Sequence, residues 1–110
     1  MNSTVRKLQL FECNEEVGFA IFNWLNKNQR SFSRLELDNL RKKAISIHTR
    51  VGNALKMTKI TDSFEELKQA KVELNDLLLD FNSKNVDSGY VGKEIDEYSM
   101  KLMKMINDYQ

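Results

Sequence analysis

Apolar residues recur every three or four positions along this chain, in four blocks separated by short polar stretches. That spacing lines them up on one face of an α-helix. In the first block Leu10, Cys13, Val17, Ile21 and Trp24 make the stripe, and the pattern predicts a helix over about residues 4–27. The second block opens with Ser33-Arg34-Leu35-Glu36, a capping-box pattern in which Ser33 and Glu36 satisfy opening amides. Its stripe of Leu37, Leu40, Ala44, Ile47, Val51 and Leu55 predicts a helix over about 34–59. A third helix is expected over about 63–83, opened by Asp62 with Glu65 three residues on, burying Phe64, Leu67, the stem of Lys71, Leu74, Leu78 and Phe81. After the turn Asn85-Val86-Asp87-Ser88-Gly89, a fourth is expected over about 91–109 with Val91, Ile95, Tyr98, Leu102, Ile106 and Tyr109 inward.

Proline is absent and only four glycines occur, so nothing forbids long uninterrupted helices. At about 1.5 Å per residue, the first three would each be roughly 30–40 Å long. Their connections are short, which makes neighbours antiparallel. A chain of 110 residues suffices for one modest core. The expected fold is all-α: one domain over residues 1–110, an antiparallel up-down-up-down four-helix bundle.

One feature exceeds what such a core can absorb. Leu8, Phe11, Phe19 and Phe22 lie well around the first helix from its stripe, leaving Val17–Leu25 apolar nearly all round. Ile45 faces away from the second stripe, Val72 and Leu79 repeat at a heptad on the outer side of the third helix, and Met100 is nearly opposite the fourth stripe. Excess of this size is usually buried somewhere. The pattern therefore predicts a homo-oligomer, with Phe11, Phe19, Phe22, Ile45, Val72, Leu79 and Met100 between subunits. A membrane is not the expected partner, because Asn23 breaks the apolar run and a span needs about 20 residues.

Charge adds a second asymmetry. Lys27, Arg30, Arg34, Arg41, Lys42, Lys43, Arg50, Lys56 and Lys59 face only Glu36 and Asp38 across residues 27–59, a net of +7. Residues 1–26 carry a net of −1 and residues 60–110 a net of −5, so the overall +1 hides a basic middle and an acidic end. Such an arrangement suits a DNA or RNA partner, or a charge-complementary contact between subunits. On a helical projection Arg34, Arg41, His48 and Lys59 share one flank of the second helix, with Lys42 and Lys56 further out, while Lys43 and Arg50 take the opposite flank. The expected nucleic-acid contacts are Lys27, Arg30, Arg34, Arg41, Lys42, Arg50, Lys56 and Lys59. No base-reading element with interleaved aromatics accompanies them, so recognition would be directed to the backbone or to shape.

Candidate chemistry is sparse. His48 is the only histidine, and no His/Cys/carboxylate cluster has ligand spacing, so neither a metal site nor a cofactor is expected. Cys13 lies on the first stripe and reads as a small core hydrophobe. A lone cysteine and the lack of a signal peptide point to a reducing cytoplasm, which discounts the Asn2-Ser3-Thr4 glycosylation pattern. Gly52, Gly89 and Gly92 belong to no phosphate-loop pattern, Gly18 is a candidate close-packing point, and Glu15-Glu16 and Glu65-Glu66 read as exposed acids. An enzyme is not expected.

The segment Leu40-Arg41-Lys42-Lys43-Ala44-Ile45-Ser46-Ile47 resembles the second-helix signature, Leu-Arg-Arg-Ala-Ala-Val-Ser-Ile, of a bacterial four-helix-bundle family. Its members are encoded in intervening sequences of large-subunit ribosomal RNA genes, and the accessory variability determinant of diversity-generating retroelements is a related branch. Phe64, Leu67, Ala70 and Leu74 are similar to the family's third helix, and Gly89-Tyr90-Val91 to its turn into the fourth. Asn26-Lys27-Asn28-Gln29-Arg30 resembles the basic Gln-Arg linker of the retroelement branch. After Ile47 the intervening-sequence branch continues Pro-Ser-Asn-Ile-Ala-Glu-Gly, where this chain has His48-Thr49-Arg50-Val51-Gly52-Asn53-Ala54, and Val72-Glu73 replaces a Gly-Ser pair. The resemblance implies a homopentameric barrel and, for the retroelement branch that these departures favour, binding of nucleic acid and of a reverse transcriptase.

Overall fold

The computed structural model describes residues 3–83 and 89–108. Four helices follow one another: α1 (Ser3–Lys27), α2 (Arg34–Lys56), α3 (Ile60–Ser83) and α4 (Gly89–Asp108), with a single 3-10 turn at Gln29–Ser31. Contacts run α1 to α2, α2 to α3, α3 to α4 and α4 to α1, so the helices occupy the corners of a square with α1 and α3 on a diagonal. The fold is an all-α four-helix bundle, measuring 43 × 23 × 19 Å.

The expected stripes meet in one core. Leu10, Cys13, Val17, Ile21 and Trp24 are buried on α1, Leu37, Leu40, Ala44, Ile47 and Val51 on α2, and Val91, Ile95, Tyr98, Leu102 and Ile106 on α4. On α3 the core line is Leu67, Ala70, Leu74, Leu77 and Phe81, with Leu77 where Leu78 was expected. Spacings of 67, 70, 74, 77 and 81 keep one straight face, whereas Leu78 and Phe64 sit at its margin and pack partly against the core. Likewise Ala54 is inside at the end of α2 and Leu55 is at the edge. The predicted positions at Tyr109 and the 85–88 turn lie outside the described residues.

The α2–α3 connection corrects the sequence expectation. Helix α2 stops at Lys56 because Met57 is extended (φ −71°, ψ 137°), with its N–H on the Ala54 carbonyl at 3.3 Å. Buried Ser63 donates its hydroxyl to that same carbonyl at 2.9 Å. The Ala54 carbonyl in the last turn of α2 thereby takes two donors without a glycine cap. Helix α3 has begun by Ile60, and Asp62 sits in its first turn instead of before it. Lys59 thus belongs to the connection and not to a flank of α2.

A polar triad crosses the core. Asn14, 2% exposed, donates its amide to the His48 backbone carbonyl at 3.1 Å, and the Tyr98 hydroxyl donates to the Asn14 side-chain carbonyl. Burial pushes the Tyr98 phenol far above its ordinary value, with a smaller push from Cys13, so it stays a donor. Three helices are tied at one level by groups that hydrocarbon alone would leave interchangeable.

Candidate nucleic-acid interface

The α1–α2 connection is built as a rigid corner. Asn28 closes α1 by bringing both its backbone N–H (3.0 Å) and its side-chain amide (2.8 Å) to the Trp24 carbonyl. Ser31 and Phe32 amides then bond Asn28 and Gln29 carbonyls at 2.9 and 3.3 Å, making the 3-10 turn. Phe32 is buried and meets Trp24 edge to face, centroids 5.8 Å apart, while Trp24 meets Phe81 at 4.7 Å. Ser33 opens α2 through a complete capping box: its N–H donates to Glu36 Oε1 at 2.9 Å and its Oγ accepts from the Glu36 N–H at 3.1 Å. Phe32 and Leu37, both buried, hold the two staple positions that bracket this cap.

This corner fixes where the cations go. Lys27 ends α1, Arg30 rides the exposed 3-10 turn and Arg34 is the first residue of α2. Arg41, two turns further, donates to the Asn26 side-chain carbonyl at 3.2 Å, which aims it toward the same end, and Lys42 is exposed beside it. Among the described residues Lys27, Arg30, Arg34, Arg41 and Lys42 make no ion pair.

The other expected contacts lie elsewhere. Lys56 ends α2 about 30 Å from Arg34 at 1.5 Å per residue, and Lys59 lies in the connection beyond it. Arg50 is on the α3 side, donating to Glu73 at 2.9 Å and to both oxygens of Glu66 at 3.2 and 3.3 Å. The Glu73 hydrogen bond, more than any other neighbour, raises the Arg50 pKa above its ordinary value. Lys43 pairs with Asp80 on the same seam. The cleft there, about 360 Å³, is lined by Glu36 and Asp80 as well as Lys42 and Lys43, so it offers an anion no net attraction. The eight expected contacts therefore resolve into a linker-end group, a far-end pair and one arginine held by acids.

The seven expected interface positions also divide. Phe19 (71% exposed), Ile45 (53%) and half-buried Phe22 line one α1–α2 groove of about 310 Å³, together with Glu15, Gly18 and His48. Phe11 lies exposed on α1 two turns before Gly18, Val72 and Leu79 form a ridge on α3, and Met100 is exposed on α4. His48 Nε2 is 3.2 Å from Glu15 Oε1 at the groove margin. A Cβ at Gly18 would stand 3.4 Å from His48 Cδ2, so the close approach expected there is to a side chain.

Cys13 is buried, and desolvation pushes its thiol up, away from thiolate chemistry. Among the described residues no three His, Cys, Asp or Glu side chains are grouped to hold a metal, and no helix is long and apolar enough to cross a membrane. Phe32 and Asn14 are buried positions at this end and on this seam that reading the sequence missed. Phe32 was legible as the residue before a capping box, five positions ahead of the core leucine Leu37. Compared with known proteins, the chain matches no family model, no curated protein and no solved structure.

Proposed function

We propose that this chain is a non-enzymatic accessory protein that binds nucleic acid as a homo-oligomer in the cytoplasm. The observation that carries the reading is the division of cations along α2. Lys43 and Arg50 are paired with carboxylates of α3, while Lys27, Arg30, Arg34 and Arg41 are held at one corner, with Lys42 further along α2, and make no ion pair among the described residues. Charge assembled and left unneutralised on a rigid corner suits phosphates, and repetition in an oligomer multiplies the contacts. The resemblance at residues 40–47 and 26–30 extends the proposal to a homopentamer serving a reverse transcriptase in a bacterial diversity-generating retroelement.

The test is fluorescence polarisation with mixed-sequence DNA and RNA between about 50 and 200 mM salt, where several phosphate contacts per oligomer cost orders of magnitude in affinity. Replacing Arg30, Arg34 and Arg41 together by Gln should weaken binding to every sequence and flatten the slope of log affinity against log salt. Unchanged binding by the triple variant would remove the corner as the interface. A second reading, a structural interaction module without nucleic acid, is favoured by the open apolar groove of Phe19, Phe22 and Ile45. Under that reading neither protein binds at low salt, and salt instead dissociates the oligomer.

A further inference from the structure

We propose that the nucleic acid taken at the corner is single-stranded, with one base unstacked into the α1–α4 cleft against Phe19; this rests on the nucleic-acid reading above. The cleft, about 380 Å³, is lined by Phe19, Asn23, Trp24 and Lys27 of α1 and by Val91 of α4. The sequence shows no aromatic interleaved with the cations along the chain, but the helix brings one beside them. Phe19, Asn23 and Lys27 follow at four-residue steps, so a ring, an amide and an ammonium share one side of α1 within about 12 Å. Each suits a different part of a nucleotide. Phe19, 71% exposed, offers a ring on which any base can stack. Exposed Asn23 offers a donor and an acceptor to a base edge. Lys27 leads to the linker, where Arg30 and then Arg34 continue the line of phosphate contacts.

Charge sets the path of the strand. From Val17 to Leu35 the chain holds Lys27, Arg30 and Arg34 and no carboxylate. Glu16 lines the cleft at its other end, roughly 16 Å along α1 from Lys27. Glu94 of α4 acts together with Glu16 on the Cys13 thiol, so both carboxylates belong to that lower level of the seam. On α2, Glu36 is held in the cap, and Asp38 is exposed between Arg34 and Arg41. The strand therefore runs from the cleft over Lys27 and along the linker, away from Glu16 and short of Asp38. A duplex keeps its bases stacked and paired, and offers this surface its phosphates alone. The assignment takes Phe19 out of the subunit contact expected for it from the sequence.

Three probes of equal length test this with the full chain in fluorescence polarisation at one low salt concentration: a short oligothymidine, a mixed-sequence duplex and an abasic strand. Wild type should bind the oligothymidine more tightly than either of the others. Phe19→Ala should weaken the oligothymidine by about fivefold or more, the loss of one stacked base, and change the duplex and the abasic strand by less than about twofold. Phe19→Tyr should keep wild-type affinity. Trp24, the single tryptophan, should lose emission when oligothymidine is added and keep it with the abasic strand. An abasic strand or duplex bound as tightly as oligothymidine would overturn the proposal, and so would an equal loss on all three probes in Phe19→Ala. Unchanged Trp24 emission with oligothymidine would count against the cleft. A lower mass of Phe19→Ala in light scattering would return the ring to a subunit contact and also overturn it. If wild type binds none of the three, the nucleic-acid reading itself fails.

Discussion

The two flanks of α2 carry the same kinds of residue and do different things with them. Toward α3, Lys43 and Arg50 meet Asp80, Glu66 and Glu73, and the seam closes on ion pairs. Toward α1, the seam closes on a buried amide, Asn14 on the His48 carbonyl, and then opens outward into an apolar groove with Arg34 and Arg41 beyond. A sum of charge over residues 27–59 cannot distinguish them. Position relative to the acidic third helix can, because a cation's availability to a partner depends on which carboxylates already hold it.

The largest expected effect tests that difference directly. Neutralising Arg30, Arg34 and Arg41 should cost orders of magnitude in nucleic-acid affinity at low salt, whereas Lys43→Gln with Arg50→Gln should change affinity less than about twofold. The paired variant should instead lose stability in denaturant melts, modestly, since part-exposed pairs are each worth about 0.2–1 kcal/mol. Equal losses of affinity in the two variants would mean that the flanks are not functionally distinct.

The core around the Asn14–Tyr98 hydrogen bond depends on protonation. Tyr98 has its pKa raised in the fold above the ordinary 10.0, and Cys13 above 9.0, both through burial. Each unfolds into a state that releases its proton more readily. Their contribution is therefore complete well below the unfolded values and is lost progressively as pH rises from those values toward the raised folded ones, approaching about 1.4 kcal/mol per pH unit for Tyr98 in that window. Urea melts from pH 8 to 11 should show this decline, and Tyr98→Phe should show a shallower one. A parallel decline in the variant would assign the effect elsewhere.

Asn14→Leu should destabilise by about 1–3 kcal/mol, because the Tyr98 hydroxyl is left buried without its acceptor. Calorimetry of Asn14→Leu and of Asn14→Leu with Tyr98→Phe separates the causes: the double variant should recover part of the loss. No recovery would indicate that packing, and not the hydrogen bond, makes Asn14 matter.

Much of the bundle was legible in the sequence. The stripes of α1, α2 and α4 read nearly in full, with Leu25, Ala54 and Met105 the buried apolar residues outside them. α3 was harder, since Leu77, Leu78 and Leu79 are consecutive and only Ala70 and Phe81 decide which of them faces in. The start of α3 misled because Asp62 and Glu65 have the three-residue spacing of a capping pair, whereas the helix has already begun by Ile60 and holds both inside it. At the candidate site the sequence marked the basic residues but not their division, which depends on which acids α3 sets opposite Lys43 and Arg50. Asn14 was illegible for a related reason: a lone amide beside a stripe looks exposed until Tyr98 and the His48 carbonyl are known to face it.

The smallest expected effects come from two of the helical glycines, Gly18 and Gly52, and they sharpen the account of the α1–α2 seam. Glycine inside a helix costs about 0.5–1 kcal/mol relative to alanine through backbone entropy. A Cβ at Gly52, on α2, meets nothing within 4 Å, so Gly52→Ala should gain close to that full amount. A Cβ at Gly18, on α1, would stand 3.4 Å from His48 Cδ2, at the near edge of ordinary contact. Gly18→Ala should therefore gain less, and it should also narrow the groove that Phe19, Phe22 and Ile45 surround. Matched urea melts of the two variants measure the difference. If Gly18→Ala stabilises the isolated fold as much as Gly52→Ala yet weakens assembly, the glycine is held at that position by the groove. If it stabilises equally and assembles normally, neither His48 nor the groove constrains Gly18.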